Sequence, residues 1–431
     1  MIKKGTGAGL TGLMAAVLLV AGCCNDAAKV RTDVPQKAFY KDIFMDSGMG
    51  MMAFRTMPVV DYLSLQCEYF YAPALTDENQ ALQDKVFGGC EEDLNGVLLY
   101  PDGEPRFRIF YVNGGLGGTH GRTLGEKGRE HIRQFVAAGG SYVGSCAGAF
   151  LSAAGVAGDS IPRKNYLGLW PGYVDDTDFT QEIAYDIPAG SPLLQYYDFG
   201  GSPADGALID TIHHENGPFF STWAEIPGTE VLAINKAEGR ISDGQPSVVA
   251  YKADVFSGRV IPSGGHPEQV PCGKGRDLMA SYVRYAIDGQ GAAKVKAQLS
   301  NGEVRVMDKS TTDSIPEFTM IGDLQCHHFV FSLPRRAKNV KIRLESLADH
   351  NLSLLLAKET FAFREDALYQ VVRGDGGVRE LSFDTLDKGL WYIGVQSEET
   401  VEYTEGEHGY EYGGKTSLLN GTPYSISVSW E

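Results

Sequence analysis

The chain has 431 residues, with 38 Lys and Arg against 55 Asp and Glu, a formal charge of -17, and 43% hydrophobic residues. That acidic excess excludes nucleic acid as a partner, because phosphate contacts need a face of clustered cations. The length exceeds one ordinary core and predicts two domains.

The N-terminus reads MIKK, then an apolar run from Leu13 to Val20, then Val20-Ala21-Gly22-Cys23. A short basic start, about 7–15 apolar residues and small residues at a cleavage point make an export signal over residues 1–22. The run falls short of the roughly 20 residues that a spanning helix needs. The VAGC ending resembles the lipobox of bacterial lipoproteins, which implies that Cys23 is lipidated and becomes the first mature residue. Several acyl chains on Cys23 would make the membrane the first partner. Cys24 in place of Asp implies, by the sorting rule of such lipoproteins, the outer membrane of a bacterial cell envelope. Residues 23–37 are polar, without pattern, and read as a tether.

From Tyr40 the texture becomes globular. YKDIFMD (40–46) alternates into a turn at Ser47-Gly48, and Val59, Val60, Leu63 and Leu65 follow at helical spacing. EYFYA (68–72) and RFRIFYV (106–112) read as strands, the second ending at Asn113-Gly114-Gly115. Leu124, Gly128, Ile132, Phe135 and Val136 recur at the helical period, Gly139-Gly140 supplies the stop, and SYVG (141–144) is a short buried strand. Strands alternating with helices predict an α/β domain over residues 38–290, an open, mostly parallel sheet with helices on both faces. Ligands of such sheets bind beyond the carboxyl ends of the strands, where Cys146 falls.

The stretch GSYVGSCAGAFLSAAG places Cys146 between Gly144 and Gly148. A strand turning sharply into a helix through G-x-C-x-G is a nucleophile elbow, whose glycines permit close backbone approach and whose helix N-terminus favours thiolate. A nucleophilic cysteine needs a base, and the base needs an orienting group. GRVIPSGGHPEQ (258–269) supplies both in one short loop, His266 and Glu268 flanking Pro267. NGGLGGTHG (113–121) follows a strand and can aim backbone N–H groups into the site; Gly114 and Gly115, with the N–H of Ala147, are the oxyanion candidates. No Gly-Lys-Ser/Thr follows, which excludes a P-loop.

The elbow GSCAGA and the HPE loop, about 120 residues apart, resemble the class I glutamine amidotransferase superfamily, and within it the branch named for the N-terminal domain of biotin-protein ligases. The resemblance covers residues 38–290. It implies Cys146 as nucleophile, His266 as base and Glu268 as its orienter, with no cofactor and no metal. Glutamine-hydrolysing members carry leucine and glutamine where this chain has Ala147 and Phe150, so glutamine is not the expected substrate.

Other polar clusters carry weaker signals. The turn His213-His214-Glu215-Asn216-Gly217-Pro218 suggests substrate contact through His214 and Asn216. Adjacent residues on an extended segment point to opposite faces, which argues against His213 with His214, or His327 with His328, as metal ligands. LWPGY (169–173) reads as packing. Cys67, Cys90, Cys272 and Cys326 are possible disulfide partners in an oxidising compartment, with no pairing specified.

Residues 297–431 lose the strand–helix alternation for short alternating runs such as HHFVFSL, VKIRLESL and GLWYIGVQS, as in an all-β sandwich. The runs FVFSLP, NLSLLLA and GLWYIGV resemble the bacterial pre-peptidase C-terminal domain, which implies attachment or binding of glycan or protein. The acidic stretch from Glu398 to Glu411 reads as a solvated loop in preference to a calcium site. The expected activity is hydrolysis or acyl transfer on an amide or ester of a small molecule or peptide, through a thioester. The alternative is a non-catalytic scaffold that keeps the fold, with the sandwich as its binding part.

Overall fold

The computed structural model describes residues 39–49, 54–72, 74–372 and 377–431. The export signal, Cys23 and the tether lie outside the described residues.

In chain order the first region contains β1 (Lys41–Met49), α1 (Pro58–Leu63), β2 (Cys67–Ala72), α2 (Asp77–Gly88) and β3 (Phe107–Val112). Next come α3 (Gly117–Thr123), α4 (Gly125–Ala138), β4 (Ser141–Ser145), α5 (Ala147–Ser152), β5 (Ala153–Val156) and β6 (Trp170–Val174). β7 (Thr180–Ile187), β8 (Ala207–Glu215), β9 (Glu230–Lys236), β10 (Pro246–Ala250), β11 (Val260–Ser263) and α6 (Gly273–Asp288) complete it. The centre of the main sheet runs β2-β1-β3-β4-β11, with every neighbouring pair parallel.

Helices cover both faces of this centre, and the strand sequences show why. All six residues of β3 are buried, as two covered faces require. Alternate residues of β1 serve opposite layers: Ile43 and Met45 pack with Leu278, Met279 and Tyr282 of α6, whereas Phe44 packs with Phe87 of α2 and Phe135 of α4.

The sheet is mixed, not parallel throughout. Beyond β11 it continues as β10-β9-β7-β8, all antiparallel. The segment from β7 to β11 contains no α-helix, so its strands fold back on one another instead of crossing over. At the opposite edge a hairpin, Glu402–Gly406 and Gly409–Gly413, adds to β2 through Phe70 and Gly409.

That hairpin corrects the reading of the acidic stretch as a solvated loop. Tyr412 Oη donates to Glu68 Oε2 at 2.8 Å, and Arg106 Nη1 donates to Tyr412 Oη at 2.6 Å. Tyr412 thus docks the hairpin, Glu405 accepts a hydrogen bond from Tyr69 of β2, and Glu402 and Glu411 remain exposed. Arg106 also holds Asp323 through Nε and Nη2 at 3.1 and 3.0 Å, with both side chains buried.

The rest of the second region is the expected β sandwich. A five-stranded sheet contains Cys326–Leu333, Leu352–Lys358 and Gly389–Ser397; a four-stranded sheet contains Ala337–Ser346, Val378–Leu386 and Tyr424–Ser429. Phe329, Phe331, Leu354 and Ile393 of the first meet Ile342, Leu344 and Ile426 of the second in one core. Trp170 is buried edge-on against Phe220 at 5.1 Å, so LWPGY packs as expected. Cys67, Cys90, Cys272 and Cys326 are all free thiols, so none forms the disulfide that was considered possible.

Candidate active site

Cys146 occupies the single residue between β4 and α5, with φ 48° and ψ -102°. A side chain with a Cβ enters this part of backbone space only under strain, and such strain concentrates at functional sites. Three bonds hold it there: Cys146 N–H to Ser263 O at 2.8 Å, Phe150 N–H to Cys146 O at 3.0 Å, and Gly148 N–H to Asn113 O at 3.2 Å. The glycines on either side are sterically required. A Cβ on Gly148 would lie 2.3 Å from Val112 O, and one on Gly144 would lie 2.7 Å from Gly148 C.

His266 and Glu268 follow β11, the parallel neighbour of β4, so the loop beyond that strand opens next to the elbow. His266 Nδ1 lies 2.9 Å from Glu268 Oε1, and both side chains are buried. Burial opposes a charge on the imidazole, but Glu268, and after it Cys146, outweighs that opposition and lifts the His266 pKa to about 10. Nε2 has no well-formed hydrogen bond among the described residues, which leaves it available for proton transfer. The Cys146 thiol meanwhile rests 3.5 Å from Glu215 O at the end of β8. Structure thus brings together the three side chains that the elbow and the HPE loop suggested.

The glycine loop also reaches the site. Asn113 ties it to α5 through its carbonyl and to β1 through its side-chain amide, which donates to Ser47 O at 3.2 Å. Gly114 is buried, whereas Gly115 is half-buried at φ +146°, backbone that glycine alone adopts freely. Ala147 is the first helical residue after Cys146, so its N–H has no acceptor within the helix.

His214 requires a correction. Its ring is buried, stacked on Phe179 at 4.4 Å, and its Nε2 lies 2.8 Å from Thr177 Oγ1. Burial, followed by the neighbouring His266 and His213, pushes its pKa down to about 4. The ring is turned into the protein against Phe179 and Thr177 and is closed off from solvent. The half-buried neighbour is His213, with its ring centroid 5.8 Å from that of His266 and its Nδ1 3.0 Å from Glu182 Oε1 on the adjacent strand. Adjacent strand residues face opposite ways, and only register shows which faces the site. Asn216 is exposed and turns the chain at φ 50° just past Glu215.

Sequence reasoning also missed a buried pair that steadies the loop. His120 Nε2 on α3 lies 2.6 Å from Asp46 Oδ2 at the end of β1, pinning the helix that follows Gly115. Among the described residues no group of three or more His, Cys, Asp and Glu side chains is arranged around a metal position. His327 contacts Tyr424 and Asp102, whereas His328 packs against Phe361 and Phe363 on the other face.

Residues 104–285 match the family model for the biotin-protein ligase N-terminal domain. The matched stretch begins just before β3, ends within α6 and includes Cys146, His266 and Glu268. An uncharacterized protein of Chlamydia muridarum (strain MoPn / Nigg) is 28% identical over 190 residues, which cover 41% of this chain and 68% of that protein. Among solved structures, a glutamine amidotransferase aligns with 57% of this chain and 98% of its own, at 17% identity and a TM-score of 0.35. The pre-peptidase C-terminal domain of a Bacillus anthracis collagenase aligns with 32% of this chain and 100% of its own, at 14% identity and a TM-score of 0.22.

Proposed function

We propose that this protein is an exported, lipid-anchored cysteine hydrolase or acyltransferase acting on an amide or ester. The observation that carries this reading is the strained Cys146 beside a buried His266–Glu268 pair. Such a conformation is costly to hold and useful for exposing a nucleophile. The match of residues 104–285 to the biotin-protein ligase N-terminal family adds support, since that stretch contains all three residues.

The geometry supports the following mechanism. The raised His266 pKa favours a resting pair in which Nε2 already holds the Cys146 proton, and the thiolate sulfur adds to the substrate carbonyl to give a tetrahedral adduct. The N–H groups of Gly115 and Ala147 receive the developing oxyanion. As the adduct collapses, the carbon–nitrogen or carbon–oxygen bond breaks and His266 returns the proton to the leaving group. Water, or an acceptor amine, then attacks the thioester, with His266 as base, and the thiol is restored. Glu268 holds the ring with Nε2 towards the sulfur and stabilises the imidazolium.

Lipidation at Cys23 would keep this chemistry at a membrane surface, and the sandwich is the part suited to hold glycan or protein. The experiment that tests the catalytic reading is intact-mass analysis of the protein incubated with activated esters, peptides and cell-wall fragments. An acyl adduct that maps to Cys146 and vanishes in Cys146→Ala is the expected result. Adducts that persist in that variant would refute it, and a failure of every electrophile to label Cys146 would favour the scaffold.

A further inference from the structure

A cleft of about 550 Å³ opens next to the glycine loop. One wall is residues 116–119 with Arg122, and the other is residues 163–166. The walls are fastened to α5, the helix that starts beside Cys146, and to β5, which follows it directly. A Cβ on Gly117 would lie 3.1 Å from Ala147 O and 3.0 Å from Phe150 Cβ. On the other side Leu167 N–H donates to Leu151 O, and Arg163 N–H donates to Ala154 O, each at 2.8 Å. The cleft therefore begins one residue beyond Gly115, and its Gly117 wall packs directly against the first turn of α5 at Ala147 and Phe150.

Its charge runs against that of the chain. Arg122, Arg163 and Lys164 line it, and no carboxylate does, in a protein of formal charge -17. Arg163 is already committed to Asp159, with Nε 2.6 Å from Oδ2, so it adds little net field. Arg122 has only Thr119 Oγ1, at 3.3 Å, as a hydrogen-bond partner among the described residues. Lys164 has no ion pair among them. Both are exposed. Two uncommitted cations in a concave surface focus positive potential into it, and the guanidinium adds planar recognition of an oxyanion.

On the catalytic reading above, we infer that the substrate carries an anionic group, carboxylate or phosphate, that seats against Arg122 and Lys164 while its scissile carbonyl lies at Cys146. The site then selects acyl compounds with a negative charge a short distance from the carbonyl, and neutral amides are poor substrates.

Matched chloroacetamides test this: one with a carboxylate on a short flexible spacer, one with a phosphonate, and one with a neutral carboxamide, each reacted with the full-length protein in detergent. Labelling of Cys146 by at least one anionic probe should be about tenfold faster than by the carboxamide, with the preference shrinking as salt is raised. The faster of the carboxylate and the phosphonate identifies the group. In Arg122→Gln/Lys164→Gln the ratio should fall to near one, whereas Lys388→Gln, an exposed lysine on the sandwich, should retain it. Equal rates in the unmodified protein, or a ratio unchanged in the double variant, would overturn the inference while leaving the nucleophile intact. If no probe labels Cys146, the catalytic reading fails separately. Calorimetry of the non-reactive acetamides with Cys146→Ala then decides the cleft: saturable anion binding lost in the double variant supports it, and no binding overturns it.

Discussion

His266 and Glu268 are joined by a 2.9 Å contact between Nδ1 and Oε1 inside a site that excludes water from both. This pair sets the tautomer and charge of the imidazole, and Cys146 sits at the other end of that ring's influence. On the proposed mechanism the roles are unequal, because the sulfur would form the bond whereas the carboxylate would only prepare the base.

Glu268→Gln should therefore slow acylation of Cys146 by about 10²- to 10⁴-fold without abolishing it. His266→Ala should slow it at least as much, and Cys146→Ala should eliminate it. Stopped-flow labelling with an activated ester, followed by intact mass, measures all three. Equal rates for Glu268→Gln and the unmodified protein would remove Glu268 from the mechanism.

The elbow glycines make a steric prediction. Gly148→Ala forces a Cβ to within 2.3 Å of Val112 O, a backbone atom that cannot swing aside. Overpacking of this kind should cost about 3 kcal/mol, read as a lowered urea midpoint. Gly118→Ala is the control, since its Cβ meets nothing within 4 Å on a helical turn. It should be neutral or more stable by about 0.5–1 kcal/mol.

Two buried histidines predict acid sensitivity. Burial, followed by nearby histidines, lowers His214 to about 4, and burial with His327 lowers His328 to about 3. The unfolded chain binds their protons first, so the stability they contribute is complete above about pH 6.5 and is lost progressively as pH falls towards those values. His266 has the opposite sign. Its raised pKa contributes stability that is complete below about pH 6.5 and lost as pH rises through about 10. Urea melts across pH should show His328→Phe flattening only the acid limb and His266→Gln flattening only the alkaline one.

The bond between the two regions is a third target. Arg106 is buried with Asp323 and Tyr412, so Arg106→Met leaves Asp323 buried without its partner. A loss of about 3–5 kcal/mol is expected. Hydrogen exchange should show the 402–413 hairpin leaving the edge of β2 before the sheet itself opens. Unchanged protection of the hairpin would mean that its other contacts suffice.

The proposed lipid anchor is tested by fractionation. Cys23→Ser should move the protein from the membrane to the soluble fraction with an unchanged unfolding midpoint. Retention on the membrane would place the anchor elsewhere.

Local chemistry is what the sequence determined alone. The elbow at Cys146 and the HPE loop are short runs whose glycines answer to close backbone approach and whose Cys, His and Glu are the types a proton relay would need, so they could be recognised before any fold was known. The α/β order of the first region and the sandwich of the second were legible for a related reason, since hydrophobic period follows from how a helix or strand buries one face. Tertiary structure decided which partner each strand takes. Nothing within β8 states that His213 faces the site and His214 the core, because a strand's faces are assigned by the register it adopts against β7. Nor does an acid-rich run state that its tyrosines will add a hairpin to β2, for that depends on Glu68 and Arg106 lying at the receiving edge, more than 290 residues earlier in the chain.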